Sequence, residues 1–371
     1  MDRQLKKIWI CNDVWMDILP FFERVELVFK LALISPRFDA LVNTHFNGQS
    51  ELTLWRHIRI HKELAGPKAT LSVRIDDKYV DFPWPDHPLP NKIRFKYIAI
   101  EYIDHSVIEF LRANKQIWDR GTYLYLNLCS SKTESNVQPI WDIFVRQIWP
   151  IFTTTTIHHL SFQNSDQLDN LLRLTSPTIL TDLKQLRTIN SYGLLFPDAL
   201  VDDDGPNAAT SAGQALSKWL HIPRKDGQPK RLRCINYFIQ TNSEWINKFK
   251  ETFLCATSSV SYKVNLGLQS STPIESFVLV NDRTKKKLTM EQVTGHPGFW
   301  VMKRCPIGET AAADQWDDEN SNVNLNNIHF KLNIDKQCIG PLSPPSEEKD
   351  KEDQSNEKVF LTTPGPSDQQ N

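Results

Sequence analysis

The side chains that could do chemistry are few and far apart in this sequence. His57 and His61 stand four residues apart, a spacing that on a helix would offer two imidazoles to one metal ion. Ile58 and Ile60 alternate with them, however, so the segment reads as a strand and the pair as no metal site. His158 and His159 are adjacent and would face opposite ways on a strand. Asp202-Asp203-Asp204 is an acidic loop without the fixed ligand spacing of a cation site. Lys285-Lys286-Lys287 reads as a basic turn, too small for a nucleic-acid footprint. The six cysteines, Cys11, Cys129, Cys234, Cys255, Cys305 and Cys338, never form C-x-x-C, which disfavours a zinc module and suits a reducing compartment. The thirteen glycines build no phosphate-cradling loop, and G-x-S-x-G is absent. No catalytic residue, metal or cofactor is therefore expected, and the expected class is a non-catalytic binding protein.

Composition agrees with a folded chain that works by contact. It has 371 residues, 40% hydrophobic and 23% charged, with a formal net charge of -1. That balance gives no drive toward nucleic acid or an anionic membrane. Eleven Trp and nineteen Phe imply a large core, or a core plus an aromatic surface. The apolar start Ile8-Trp9-Ile10-Cys11 is cut short by Asn12-Asp13, so a secretory signal is not expected. No apolar run reaches membrane-spanning length, and a cytoplasmic or nuclear location follows.

The densest apolar pattern lies in residues 10–46. Asn12 is placed to cap a helix, with Asp13 beside its positive end. Val14, Ile18 and Phe21 or Phe22 follow on one face, and Pro20 helps to end the run. Leu27, Leu31 and Ile34 give a second helix the same spacing. Ser35-Pro36 starts a third, with Ser at the cap and Pro at the first helical position, and Phe38, Leu41, Val42 and Phe46 as its apolar face. Three such short helices cannot enclose all these side chains, so some should face a partner or the next domain.

This block resembles an F-box, the helical module that docks a substrate receptor onto a cullin–RING ubiquitin ligase. Ile10-Cys11 occupy the places of the family's opening Leu-Pro. Asp13, Val14 and Ile18 match its acidic, Val and Ile positions, Phe21-Phe22 its aromatic–aliphatic pair, and Glu26-Leu27 its acidic–Leu step. Leu31-Ala32-Leu33-Ile34-Ser35-Pro36-Arg37-Phe38 match its close. Cys11 replaces the usual Pro, and one extra residue stands between Phe22 and Leu31. The whole chain is similar to the large, divergent F-box families of nematodes. The resemblance implies a Skp-family adaptor held by Ile10, Cys11, Val14, Ile18, Phe22, Leu27, Leu31 and Ile34. It also implies a cullin–RING ligase as the wider assembly, an unidentified target protein bound by the C-terminal domain, and catalysis left to partner enzymes.

Beyond the block, short strands are expected over 54–60, 71–75 and 78–82, then an extended proline-rich linker over 83–90. From 92 to about 270 strand and helix patterns alternate: strands over 93–102, 122–128, 157–163, 183–190, 231–238 and 259–268, and helices over 106–118, 140–152, 166–174, 212–220 and 243–254. Strand–helix units near thirty residues suggest a parallel sheet. The fold class is α/β: a three-helix F-box, then a strand–helix repeat domain, either irregular and leucine-rich-repeat-like or an open α/β sheet. Strands over 277–280, 299–303 and 328–332 read as a terminal antiparallel meander. The implied domains are 8–46, 47–91 as short strands and linker, 92–340 as the target-binding domain, and 341–371 as a disordered tail dispensable for folding.

Alternation assigns directions within that domain. If helices cover a single face, Leu124, Leu126 and Leu128 point to them and Tyr123, Tyr125 and Asn127 point away. Leu160 and Phe162 go inward, leaving His159, Ser161 and Gln163 outward. Lys263 and Asn265 form the outward pair of their strand. Tyr beside Asn, His and Gln is a mixture favoured at interaction surfaces, so these outward residues are the candidate target site. In a doubly wound sheet Tyr123 and Tyr125 would instead be buried.

Overall fold

The computed structural model describes residues 10–47, 52–63, 66–75, 77–85, 88–89, 93–118, 121–128, 138–152, 156–192, 211–235, 244–268, 274–308 and 328–343. They form a mixed α/β fold around one mixed sheet of thirteen strands. In chain order these are β1 (Leu52–Lys62), β2 (Ala69–Ile75), β3 (Lys78–Phe82), β4 (Ile93–Ile100), β5 (Thr122–Leu128), β6 (Ile157–Phe162), β7 (Thr188–Ser191), β8 (Lys230–Ile235), β9 (Tyr262–Gly267), β10 (Phe277–Asn281), β11 (Lys286–Gln292), β12 (Phe299–Pro306) and β13 (Ile328–Ile334). Across the sheet they lie in the order β10-β11-β12-β9-β8-β7-β6-β5-β13-β4-β1-β2-β3. From β9 to β1 all neighbours are parallel, and both ends finish in antiparallel hairpins.

From β5 to β9 the chain lays each new strand on the same side of the last. Crossovers between parallel strands are right-handed, so steady progress in one direction puts every connecting helix on one face. The helices are α4 (His105–Ala113) and α5 (Lys115–Trp118), α6 (Gln138–Ile143), α7 (Ser165–Leu174) and α8 (Ile179–Asp182), α9 (Ala212–His221) and α10 (Glu244–Cys255). Their starts are written in polar caps. Asp104 accepts from the Val107 amide at 3.0 Å, Asn164 from that of Gln167 at 3.2 Å, and Ser211 forms a capping box with Gln214. Trp118 and Phe152 pack on Phe330 of β13 at ring distances of 6.0 and 4.7 Å, and Phe249 on Tyr262 of β9 at 6.2 Å. Arg304 is fully buried on the same face, between the rings of Phe253 and Tyr262, and donates to the Ser258 carbonyl at 2.6 Å.

The N-terminal helices are α1 (Asn12–Ile18), α2 (Arg24–Glu26), continued by a π turn over Leu27–Leu31, and α3 (Pro36–Asn47). Ser35 caps α3 as its position suggests, accepting from the Phe38 amide at 3.4 Å. Asn12 does not cap α1. Its Oδ1 accepts from Arg37 Nε and Nη2 at 3.2 and 2.9 Å, and Arg37 also reaches the Ile10 carbonyl at 2.5 Å. One guanidinium thus pins the start of the first helix to the start of the third. The three helices share the core of the sheet: Phe29 lies 5.4 Å from Phe82 of β3 and 6.2 Å from Phe95 of β4.

Four expectations need correction. The segment at 328–334 is not part of a terminal meander: β13 inserts between β4 and β5, parallel to both. The meander is instead β10-β11-β12, and only Lys285 of the lysine triplet is a turn residue, at φ 54°, since β11 begins at Lys286. The short strands expected over 54–60, 71–75 and 78–82 are β1, β2 and β3, but they are not a unit apart from the following domain, because β1 pairs in parallel with β4 and carries β2 and β3 into the same sheet. The proline-rich stretch is held to the domain at Leu89, which is buried and donates its amide to Asn114 Oδ1 at 2.7 Å. Finally, the fold continues past 340: the His105 amide donates to the Pro341 carbonyl at 2.8 Å, and a Cβ on Gly340 would overlap the Tyr102 ring. The rest of the tail, from 344, lies outside the described residues, as does the 202–204 loop. Among the described residues, no helix is long and apolar enough to cross a membrane.

The central position of β13 makes a quantitative contrast. Phe330 is 1% exposed and wedged between two aromatic rings, whereas Val278 on edge strand β10 is 63% exposed. Phe330→Ala should cost about 3–5 kcal/mol in chemical denaturation, and Val278→Ala no more than about 0.5 kcal/mol. A small effect of Phe330→Ala would mean that β13 is not integral to the sheet.

Candidate functional site

Among the described residues no helix covers the opposite face, and its side chains follow from strand alternation. In β5 the residues alternate buried and half-buried, with Leu124, Leu126 and Leu128 inside and Tyr123, Tyr125 and Asn127 outside. β13 repeats this, with Ile328, Phe330, Leu332 and Ile334 inside and His329, Lys331 and Asn333 outside. In β6, Leu160 and Phe162 are buried and His159 is half-buried on the outer row.

Parallel register then aligns one row of rings across five strands. His57 of β1 opposes Tyr97 of β4, His329 of β13 opposes both Tyr97 and Tyr123, and Tyr123 opposes His159. The ring distances are 4.7 Å for His57–Tyr97, 4.6 Å for Tyr123–His329 and 4.7 Å for Tyr123–His159. The Tyr123–His329 planes are only 16° apart, so these rings stack on one another and turn their edges to solvent. The next row carries Lys331 over the Tyr125 ring at 5.5 Å, and beyond it Asn127 donates to Asn333 Oδ1 at 2.6 Å. The Tyr125 hydroxyl donates to Gln163, which is exposed. Ser161 points the same way but is only 5% exposed. Of these residues Tyr97, Tyr123, Tyr125, His159, Ser161, His329 and Lys331 line a cavity of about 400 Å³ that also reaches Asn190.

Burial holds the rings neutral. Burial, and then the neighbouring His329, push His159 down to about 3. His57 and His329 are lowered as well, by burial first and then by nearby cations that include Lys96. Tyrosines between the histidines keep the imidazoles apart, and among the described residues no cluster of His, Cys, Asp or Glu could hold a metal ion.

One constellation was not legible beforehand. His61 Nε2 lies 2.6 Å from Ser72 Oγ, which donates to Asp81 Oδ1 at 2.5 Å. A nucleophilic serine must hand its proton to the histidine. Here the proton goes to the carboxylate, and Ser72 is 1% exposed, so the trio cross-links β1, β2 and β3 and is not arranged for acyl transfer.

A second surface lies on the N-terminal helices. Ile10, Cys11, Val14, Phe22 and Ile34 are exposed, and Ile18 is half-buried. Phe21 stands out at 87% exposure, with Ile34 at 63%. Leu27 and Leu31, expected on the same surface, are not available to a partner. They are 1% and 9% exposed because the π turn aims them into the core beside Val28 and Phe29.

The neutral histidines predict a pH response. His221, in α9 against Tyr262, is likewise pushed down to about 4, chiefly by burial, against the opposing pull of the Ser217 carbonyl. Both groups have folded values below the unfolded value near 6.5. Their contribution is therefore fully present above about pH 6.5 and lost as pH falls through 4 toward 3. The thermal midpoint should fall over that window, and His159→Gln should flatten the slope. An unchanged slope in that variant would show that His159 titrates normally.

The chain matches no family model, no curated protein and no solved structure, so these two surfaces are the grounds on which a function can be argued.

Proposed function

We propose that this chain is the target-recognition subunit of a Skp–cullin–F-box ubiquitin ligase. Residues 10–46 would dock a Skp-family adaptor, and the open face of the sheet would hold a target protein. No catalysis, cofactor or metal is asked of this chain, and its place would be the cytoplasm or nucleus. The observation that carries the reading is that Ile10, Val14, Phe21, Phe22 and Ile34 all stand exposed in an N-terminal helical block whose pattern resembles an F-box. Five large apolar side chains left exposed within one short module point to a contact surface. The domain is read as irregularly leucine-rich-repeat-like, supported by strand–helix units that progress in one direction and leave one face bare. Tyr123, Tyr125, Asn127, His159, Ser161 and Gln163 would be the target-facing residues.

A second reading keeps the fold and drops the ligase: a protein-interaction scaffold whose N-terminal helices cap the sheet. The burial of Leu27, Val28, Phe29 and Leu31 against the sheet core favours it. The two readings part at Val14 and Ile34, which a cap does not need.

Each large apolar side chain desolvated at an interface contributes about 1.5–3 kcal/mol. Val14→Asp combined with Ile34→Asp should therefore abolish co-purification with a Skp-family adaptor and leave the thermal midpoint nearly unchanged. Leu31→Asp should instead unfold the module. A wild-type chain that fails to co-purify with the adaptor would leave the scaffold reading in its place, and adaptor binding that survives the double substitution would reject Val14 and Ile34 as docking residues.

A further inference from the structure

We infer that the β8–β9–β12 quarter of the open face docks an acidic polypeptide segment. The inference rests on the reading of that face as the target surface and names the chemistry it selects. Arg231, Lys263 and Lys303 stand directly opposite one another on three adjacent strands. Like charges in opposed positions repel, and more so when one of them is 5% exposed, as Lys263 is. Arg233 follows one row on, beside Asn265. Among the described outward side chains of β8, β9, β11 and β12, Glu291 is the one carboxylate.

At the other end of the face carboxylates stand beside the cations. Arg59 is bound by Glu101 at 2.6 and 2.8 Å, and His61 lies near Asp81. With a net charge of -1 for the whole chain, the positive quarter is a local feature and not a general one. Arg231, Lys263 and Lys303 each have contacts within the chain, so the attraction is the field of the patch and not that of any one free cation.

One group there has the geometry to read a peptide: Arg233 is exposed. Beside Asn265, whose Oδ1 is buried, it lines a cavity of about 530 Å³ walled by His296, Phe299 and Val301. A guanidinium takes a carboxylate in its fork. Single-stranded nucleic acid fits the face less well. Base stacking needs open ring faces, and the faces of the neighbouring ladder are turned onto each other.

The test uses the full chain and fluorescence anisotropy with three labelled probes: a short Asp/Glu/Tyr peptide, its Asn/Gln/Tyr analogue, and an oligouridylate. The acidic peptide should bind at least about tenfold more tightly than the neutral one, with the difference shrinking at high salt. Arg233→Glu should weaken it by about tenfold or more, and Glu291→Lys on β11, which pairs with β12, should tighten it. Both positions are exposed, so the variants should fold, and Arg233→Glu should keep its adaptor. Equal binding of the neutral peptide, indifference to both substitutions, or preference for oligouridylate would each overturn the inference. Loss of the acidic peptide with the adaptor retained sinks only this inference. Loss of every adaptor interaction with peptide binding intact sinks only the ligase reading.

Discussion

The handedness of the strand–helix–strand crossover is the constraint on which the rest of this structure depends. Adding β6, β7, β8 and β9 in one direction leaves the helices no choice of face. A single buried face then accounts for the alternation in β5, β7 and β13, since one side of each strand meets Phe, Trp and Leu from helices and the other meets solvent. Had the progression reversed once, the chain would have wound helices over Tyr123 and Tyr125. The bare face is thus a product of topology, and its chemistry is free to vary without disturbing the core.

The helical block at the N-terminus solves a related problem with different means. Its apolar side chains are too many for a core of their own, and the structure divides them. Val25, Leu27, Val28, Phe29 and Leu31 are spent on attachment to the sheet, while Val14, Phe21 and Ile34 remain outside. The π turn over Leu27–Leu31 carries Leu27, Val28, Phe29 and Leu31 on the buried side of that division, and Ile34 follows it on the exposed side. Arg37 then locks the first helix in place through Asn12 and the Ile10 carbonyl.

Much of this was legible in the sequence, and the failures have physical causes. Strands such as Thr122–Leu128 and helices such as Ser165–Leu174 declare themselves by strong local periodicity and capping residues. The directions of Tyr123, Tyr125 and His159 followed from alternation alone. The aromatic ladder did not, because it needs His329 between Tyr97 and Tyr123, and no local pattern tells a strand which neighbours it will join. The alternation of His329, Lys331 and Asn333 with Phe330 and Leu332 was the available signal for an outward row. Asn12 was misread for a similar reason: a good cap residue was claimed by Arg37, far along the chain. Leu27 and Leu31 had the right spacing for a surface face, but periodicity does not say which of two partners a face will meet.

The place of β13 has a consequence for how the molecule comes to be folded. Asn127 and Asn333 touch across 206 residues of chain, and every contact of β13 with β5 has a comparable separation. Closing such loops is entropically slow, so topology of this kind delays the final step of folding. Until residues 328–334 arrive, β4 and β5 must wait with a vacant slot between them. Their unpaired edges are then open to any passing strand, including one from another copy. Nascent chains would therefore spend their longest-lived stage as two half-sheets, and a chaperone that shields open strand edges would protect that stage and not the finished fold.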